Sequence, residues 1–289
     1  MSAAAPTIQR RRRSRRKIAR RVAVNVTGAL VFLVMIFPVY WMVTTAFKRG
    51  SDVLSIEPEW WPHDPTLANF SDAIHRPHFW DAVQNSMIVV VAVVILSVAL
   101  ALLAALALAK FRFHGRAGFI IIIFAVQMIP LNALIIPLYI TLSSVHQVDK
   151  LSGVIVTYLT FVLPFCIWTL RGFIGGVPKE LEEAAMVDGS TRLGAFFRIM
   201  LPLVGPGLVA TSIFAFIQAW NEYIMAYVLL QSQEKQTLTI WLAFFTTQRG
   251  TDWGPLMAGA TLTALPVVVF FVLVHRKIAF GLTQGAVRG

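Results

Sequence analysis

The residues of this sequence with reactive or metal-binding side chains are few and scattered. Cys166 is the single cysteine, so the chain alone forms neither a disulfide nor a thiolate metal cluster. His75 and His78 are spaced as an H-x-x-H pair, but no nearby residues complete a set of metal ligands, and chance spacing is the simpler interpretation. The sequence contains no G-x-x-x-x-G-K-[ST] phosphate loop and no recognisable Ser, His and Asp arrangement. We therefore expect no catalytic residue, no metal site and no enzymatic activity in this chain.

A second group of polar residues lies inside apolar segments. Gln127 and Asn132 flank Pro130, and Asn221 and Glu222 are adjacent in a later apolar run. A charge at the centre of a membrane helix costs about 3 kcal/mol, so such residues often have a function. Prolines also free backbone carbonyls that can line a cavity. The four polar residues are therefore candidates for contact with a polar substrate.

The depth of Glu222 in the membrane decides how it is interpreted. If its helix begins at Leu203, Glu222 lies about 29 Å along that helix, at the outer membrane interface, and needs no special role. If residues 203–207 still lie among the lipid headgroups, Glu222 sits deeper and faces the pathway. The sequence leaves both alternatives open.

The elements that must position these residues are membrane helices. Hydrophobic residues make up 57% of the 289 residues and charged residues 13%, about half the charged share of a soluble domain. Residues 87–109 contain no charge and as a helix are about 35 Å long, enough to cross a hydrocarbon core. The alternating segments of about 10 residues that build a membrane barrel are not seen. We predict an all-α polytopic protein with six transmembrane helices, at about residues 22–46, 85–109, 118–138, 152–173, 203–230 and 255–276.

Lys and Arg residues divide unevenly between the two sides of the membrane. If the N-terminus is cytoplasmic, the outer side holds only six of the 25 Lys and Arg residues, which are Lys48, Arg49, Arg76, Lys150, Lys235 and Arg249. The positive-inside rule therefore predicts a multi-pass plasma-membrane protein with both termini in the cytoplasm. The Arg-rich tail, residues 1–21, adjoins the first span. We expect it to set topology and to contact anionic lipid rather than nucleic acid.

The segment 177–202, between the fourth and fifth predicted spans, has the pattern of two short helices and a turn. Pro178 suits the first helical position, and the glutamates that follow it favour a helix N-terminus. Gly189 is placed to end this helix in a left-handed conformation. Ser190 or Thr191 is then expected to cap a second helix, which Pro202 is expected to close.

The first of these helices is expected to present small side chains to a partner. The residues predicted to share that face are Leu181, Ala184, Ala185, Val187 and Asp188. Such a face lets another protein approach closely, so the segment would form a compact projection from the membrane. Patterning alone also allows an amphipathic hairpin that lies on the lipid surface, and it favours that alternative.

The same segment carries a spaced motif. Glu183, Ala184, Ala185, Gly189, Ile199, Leu201 and Pro202 match the pattern E-A-A-x3-G-x9-I-x-L-P. This pattern resembles the signature loop of permease subunits in binding-protein-dependent ABC importers. Four more segments resemble the carbohydrate branch of that family, the maltose-type second permease subunits: residues 65–70, 128–130, 220–223 and 281–289. Ser190 departs from the family, which commonly has Ala there; both residues are small.

The resemblance implies a type I importer permease fold, with a permease domain over residues 22–289 and the loop 177–202 coupled to an ATPase. The coupling residues it implies are Glu183, Ala184, Ala185, Asp188, Gly189, Ile199, Leu201 and Pro202. It also implies four partners: a homologous second permease, a dimer of ATP-binding subunits, an extracytoplasmic sugar-binding protein and the lipid bilayer. ATP and Mg would be bound by the partner ATPase subunits, and no cofactor is expected in this chain.

The function implied is half of the translocation pathway of an ATP-driven carbohydrate importer. One alternative is a permease of the same superfamily with another cargo, such as a phosphorylated polyol or a peptide. A second alternative is a secondary transporter that works without ATP. That class often shows inverted repeats, none of which is visible in this sequence, and it needs no such loop. Nothing in the sequence indicates which sugar is carried.

Overall fold

The computed structural model describes the backbone of residues 7–248 and 250–285, and the side chains of residues 17–248 and 250–274. Three features named above fall outside the described side chains. They are the basic tail before Lys17, Arg249, and the C-terminal segment 281–289 with its family resemblance.

Helices form nearly all of the described structure. The α-helices are α1 (Thr7–Ala46), α2 (Gly50–Val53), α3 (Ala68–His75), α4 (Phe79–Lys110), α5 (Arg116–Gln127), α6 (Ile135–Ser144), α7 (Leu151–Gly175), α8 (Lys179–Val187), α9 (Arg192–Ala195), α10 (Leu201–Asn221), α11 (Ile224–Leu229), α12 (Leu238–Ala243) and α13 (Trp253–Gly285). Two 3₁₀ turns cover Leu131–Leu134 and Gln233–Lys235, and a π-helical segment covers Phe196–Met200. The strands β1 (Thr246–Thr247) and β2 (Gly250–Thr251) pair antiparallel, with Thr246 opposite Thr251.

The chain divides into two compact units. The first unit comprises the chain up to Asp72 together with Asp252–Thr261, and the second comprises Ala73–Thr251 and the chain from Leu262 onwards. The predicted boundary between the tail and the permease domain, at residues 21 and 22, falls inside α1, which continues through it without a break.

The first unit is organised around Lys48, which is 2% exposed. Its ammonium group donates a 2.5 Å hydrogen bond to the carbonyl of Glu59 and lies 4.2 Å from the centre of the Trp41 ring. The Asn69 side chain donates to the carbonyls of Ala46 and Lys48, at 2.9 and 2.7 Å. The bond to Ala46 satisfies the last carbonyl of α1, which a helix end leaves without a partner. By contrast, the side chains from Lys17 to Tyr40 are exposed, and an apolar helix of this kind must be covered by lipid or protein.

The core of the second unit is built on α7. Six residues of this helix are spaced by four and are fully buried: Val154, Tyr158, Val162, Cys166, Leu170 and Ile174. The helix α4 packs along this stripe, and it contributes the buried small residues Ser97, Ala101 and Ala105. Small residues at a membrane helix interface let the backbones approach closely, and α4, α7 and α10 all pack against one another.

The sequence predicts six membrane spans. The structure agrees with that number if one interrupted pair of helices is counted as a single span. In the described chain, five helices have the length and composition of a span: Lys17–Ala46, Phe79–Lys110, Leu151–Gly175, Arg192–Asn221 and Trp253–Val274. A sixth is obtained when Arg116–Gln127 and Leu131–Ser144, which are bent by 94°, are counted as one span. The predicted third span is therefore broken rather than continuous.

Candidate functional site

Two interrupted helices of the second unit meet at a cavity. The helix α5 ends at Gln127, because Pro130 lacks a backbone N–H and disfavours the helical conformation of the residue before it. The helix α10 ends at Asn221, and Glu222 adopts extended backbone, with φ −70° and ψ 129°. Both interruptions line a cavity of about 590 Å³. Its polar lining residues are Gln127, Thr160, Gln218, Asn221 and Glu222, and its aromatic lining residues are Phe161 and Phe214.

Glu222 holds the second interruption together. Its carboxylate accepts hydrogen bonds from the backbone N–H groups of Met225, at 2.8 Å, and Ala226, at 3.1 Å, so it caps the first turn of α11. The hydroxyl of Tyr158 donates to the same carboxylate at 2.7 Å. The backbone carbonyl of Glu222 accepts from the Thr239 hydroxyl at 2.9 Å. The structure places Glu222 in the cavity wall, with its carboxylate engaged in capping.

The four predicted polar residues are placed differently. Gln127, Asn221 and Glu222 line the cavity, whereas Asn132 is not among its lining residues and lies exposed in the 3₁₀ turn after Pro130. The Asn221 side chain donates a 2.9 Å hydrogen bond to the carbonyl of Ile217. The Asn221 amide therefore folds back onto its own helix.

Two cavity residues, Thr160 and Gln218, were not predicted from the sequence. Gln218 could have been found from spacing, because it precedes Asn221 by three residues and Glu222 by four, and residues so spaced share one helix face. Thr160 carries no comparable local signal, since its place beside the cavity depends on how α7 packs.

The polar side of the cavity is open in this chain. Gln127, Thr160, Gln218 and Asn221 are all exposed, although they lie on helices that have the length and composition of membrane spans. Polar side chains and interrupted backbone at membrane depth are tolerated where they face protein or a water-filled cavity, and not where they face lipid. If these residues lie at membrane depth, this face has to border protein or water rather than lipid.

The loop 177–202 forms the predicted helix, turn and second helix. Gly189 ends the first helix with φ +87°, and the Ser190 N–H donates to the carbonyl of Ala185 at 2.9 Å, as in a glycine-terminated helix end. The Thr191 hydroxyl accepts from the N–H of Gly194 at 3.1 Å and so caps α9. Pro178 occupies the cap position with ψ 136°, and α8 begins one residue later than predicted, at Lys179.

Two predictions about this loop were wrong. Pro202 does not close the second helix. It lies in the first turn of α10, where a proline needs no N–H partner, and the chain continues from α9 through the π-helical segment into the span. The predicted face of small residues is also divided. Ala185 is buried at 6% exposure, whereas Ala184 is exposed and Val187 is 86% exposed, because Ala185 points in a different direction from the other two around α8.

The predicted coupling residues accordingly fall into two places. Glu183, Ala184, Asp188 and Gly189 are exposed on α8 and its turn. Ile199 lies in the π-helical segment, and Leu201 and Pro202 begin α10. One half of the motif therefore forms an exposed projection, and the other half forms the helix that leads into the membrane.

A further contact of the loop was not predicted from the sequence. The ammonium group of Lys110, the last residue of α4, lies 2.9 Å from Oε2 of Glu182 on α8. The two residues are 72 positions apart in the sequence, so no local pattern indicates the pair.

Asp149 joins the loop before α7 to the loop after α11. Its carboxylate accepts from Lys235 Nζ at 2.8 Å, from the Ser232 hydroxyl at 2.6 Å, and from the N–H groups of Ser232 and Gln231. Burial raises the pKa of Asp149, but the Lys235 ammonium and the bonds from Ser232 and Gln231 outweigh it and hold the pKa well below its usual value. Asp149 therefore stays ionised and fixes the chain that follows α11.

Comparisons with known proteins bear on the family and the fold of the chain. Residues 97–282 match the family described as binding-protein-dependent transport system inner membrane component. The diacetylchitobiose uptake system permease protein DasC of Streptomyces coelicolor is 46% identical over 275 residues, covering 95% of this chain and 100% of DasC. The arabinooligosaccharides transport system permease protein AraQ of Halalkalibacterium halodurans is 32% identical, over 90% of this chain and 94% of AraQ.

One solved structure shows the same fold at low sequence identity. It is the crystal structure of a bacterial ABC transporter involved in the import of the acidic polysaccharide alginate. One of its chains superposes with a TM-score of 0.77 and 21% identity, covering 95% of this chain and 99% of that chain. The predicted importer permease fold is thereby confirmed.

Proposed function

The chain belongs to the family of binding-protein-dependent transport system inner membrane components, and on that premise we propose that it forms half of the translocation pathway of an ATP-driven oligosaccharide importer. The chain acts as a transport subunit of the inner membrane. ATP hydrolysis, with its Mg, takes place on separate subunits, and both termini face the cytoplasm with the loop 177–202.

The observation that carries this proposal is one uninterrupted helical path from the loop to the cavity. It runs over the 30 residues from Arg192 to Asn221, about 45 Å at the rise of an α-helix. Its first turn is capped by Thr191, next to the exposed projection of the loop, and its last residues are Gln218 and Asn221 in the cavity wall. A displacement of the loop is therefore transmitted to the cavity along this one helical segment.

The open polar side of the cavity supports a second permease as the partner. A homologous subunit would face this one with a similar wall, so that the two walls enclose a water-filled pathway. The glutamate cap at Glu222 keeps the break in shape while the pathway opens and closes. Because Glu222 has this structural role, Gln127, Gln218 and Asn221 are the residues that contact the cargo.

The chemistry of the cavity suits a sugar. Side-chain amides donate and accept hydrogen bonds, as sugar hydroxyl and N-acetyl groups do. The rings of Phe161 and Phe214 offer apolar surface to the faces of a pyranose. The names of DasC and AraQ record diacetylchitobiose and arabinooligosaccharides as their cargoes. These relatives support an oligosaccharide as the cargo here, and diacetylchitobiose as the first compound to test.

The exposed projection at Glu183, Ala184 and Gly189 is the part of the chain that meets an ATP-binding subunit. Closure of two such subunits on ATP would draw the loops of both permeases together. The helical segment Arg192–Asn221 would transmit that displacement to the cavity. The cavity would then open to the outside, where a sugar-binding protein delivers the cargo. Each state needs its own favourable contacts, because a ligand shifts only equilibria between states that it binds differently.

Purification from the native host, followed by reconstitution, tests the proposal. A tagged copy in mild detergent is expected to bring down a second permease, an ATP-binding subunit and a solute-binding protein. The reconstituted complex, with diacetylchitobiose, is expected to accumulate sugar with ATP inside the vesicles and not with a non-hydrolysable analogue.

Two outcomes would overturn parts of this proposal. Recovery of the chain alone, in several detergents and after crosslinking, would contradict the multi-subunit importer. ATP-driven uptake of a peptide or a polyol phosphate, with no uptake of any oligosaccharide, would retain the importer and replace its cargo.

A further inference from the structure

Lys110 and Glu182 form an ion pair between the end of α4 and the start of α8. The Lys110 ammonium lies 2.9 Å from Glu182 Oε2, and the two side chains are 13% and 26% exposed. Exposed ion pairs contribute little because water and salt screen them. This pair is largely shielded, so salt screens it less than a surface pair, and removal of either partner would leave the other charge without its counter-ion.

The two helix ends strengthen the pair. Lys110 is the C-terminal residue of α4, where the helix dipole favours a positive charge. Glu182 is the fourth residue of α8, near the N-terminus, where the dipole favours a negative charge. Exchanging the two charges would therefore retain the ion pair and lose the dipole contribution at both ends.

The apolar contact between the same two elements is incomplete. A cleft of about 510 Å³ lies between them, with Leu103 and Leu106 of α4 on one side and Met186 and Phe196 of the loop on the other. The loop helix α8 packs mainly against α9 and the π-helical segment. The ion pair therefore bridges a gap that side-chain packing does not fill.

We propose that Lys110 and Glu182 are positioning residues that make α8 and α4 move together. This inference rests on the proposed function, in which an ATP-binding subunit displaces α8. The displacement then enters the membrane along two routes: through the backbone into α10, and through the ion pair into α4. Because α4 packs along α7, which carries Thr160 and Phe161, the second route reaches the part of the cavity wall that α7 provides.

The direct test measures the distance between α8 and α4 in the assembled complex. Spin labels would be placed at Glu180→Cys and Leu100→Cys, both exposed positions, in a Cys166→Ala background. With the pair intact, we expect one narrow distance distribution, unchanged by ATP. Lys110→Met is expected to broaden this distribution and to make it depend on ATP. Arg112→Met, which removes an exposed positive charge two residues after Lys110, is the matched control and is expected to leave it narrow.

The second readout is the amount of sugar imported per ATP hydrolysed. Coupling free energies between sites correspond to factors of about 5 to 150, so Lys110→Met is expected to lower this ratio about 5-fold or more, with the quantity of assembled complex unchanged. The double variant Lys110→Glu with Glu182→Lys restores the pair with reversed charges. It is expected to recover the narrow distance and at least half of the lost ratio.

The two proposals fail in different ways. A wild-type complex that imports no oligosaccharide contradicts the proposed cargo. The distance between α8 and α4 in that complex still tests the positioning role of Lys110 and Glu182. An unchanged distance distribution in Lys110→Met overturns the positioning role. So does a charge-reversed double variant that assembles normally and recovers neither the distance nor the ratio.

Discussion

The hydroxyl of Tyr158 donates a 2.7 Å hydrogen bond to Oε2 of Glu222, at the break between α10 and α11. Tyr158 is fully buried in the stripe of α7 that packs in the core. A buried tyrosine combines apolar packing of its ring with a polar group that needs a partner. The bond thus links the rigid core of the second unit to the interrupted helix in the cavity wall.

Removal of this hydroxyl by Tyr158→Phe is expected to destabilise the protein by about 1–3 kcal/mol, because the hydrogen bond between the fully buried Tyr158 and the Glu222 carboxylate is lost. Thermal unfolding of the purified protein in detergent measures the effect. Tyr227→Phe is the control, since Tyr227 is 55% exposed. Equal shifts of the unfolding temperature in the two variants would show that the Tyr158–Glu222 bond does not contribute to stability.

Truncation of Gln218 to Ala is expected to weaken sugar uptake and leave the fold intact. The side chain lies exposed in the cavity wall, so its loss removes a cargo contact, and the sugar concentration for half-maximal uptake should rise about 5- to 10-fold. Asn132→Ala is the matched control, because Asn132 does not line the cavity. A larger effect at Asn132 than at Gln218 would contradict this assignment of the cavity.

Replacement of Gly189 by Ala is expected to impair the coupling of ATP hydrolysis to transport and not the affinity for sugar. Gly189 has φ +87° and open space where a Cβ would lie, so the cost is backbone strain alone, about 1–2 kcal/mol. Gly205→Ala also adds a methyl group into open space, but without a positive φ, and should leave coupling unchanged. Normal sugar-stimulated ATP hydrolysis in Gly189→Ala would refute the prediction.

A methyl group at Gly207 is expected to force α10 away from α7. A Cβ there would lie 2.5 Å from Cγ of Phe173, and overpacking of this kind costs about 1–3 kcal/mol. Gly207→Ala should therefore lower the unfolding temperature, whereas Gly172→Ala, which meets nothing within 4 Å, should not. Adding Phe173→Ala to the Gly207 variant should restore much of the loss, and a failure to do so would place the strain elsewhere.

The contribution of Asp149 to stability is expected to depend on pH. Its folded-state pKa lies below the usual value of 3.8, so ionisation stabilises the folded form above the unfolded-state pKa, and this stabilisation is lost as the pH falls through the folded-state pKa. Asp149→Asn should cost about 1–3 kcal/mol at pH 7, and the difference from wild type should shrink below about pH 4. Thermal unfolding between pH 7 and pH 3.5 measures it; a constant difference would contradict the ion pair with Lys235.

Local features of the sequence were sufficient for the class of fold and for much of the loop. Long uncharged runs predict membrane helices because lipid offers no partner for polar backbone groups. Gly189 was predicted to be left-handed because the residue that ends a helix often adopts a conformation that glycine takes without strain. The motif that begins at Glu183 identified the family. Each of these signals lies within a few residues of the feature that it predicts.

Pro202 shows where a local signal is ambiguous. A proline is equally suited to follow one helix and to begin the next, and only the packing of α10 decided that the chain continues through the π-helical segment. Similarly, the helical period places Ala184 and Ala185 about 100° apart, but only the tertiary structure shows which of them faces the rest of the loop.

The sequence by itself determined the helical membrane class and the loop motif, because those follow from hydrophobicity, backbone chemistry and short-range spacing. It predicted single spans at about 118–138 and 203–230, so the helix breaks near Pro130 and Glu222 were seen only in the structure. The tertiary structure alone decided that both breaks face one cavity, that Tyr158 satisfies Glu222 64 residues away, and that Lys110 pairs with Glu182. Such contacts join residues far apart in the chain, and their existence depends on how α4, α7 and α10 pack, which no local pattern of residues specifies.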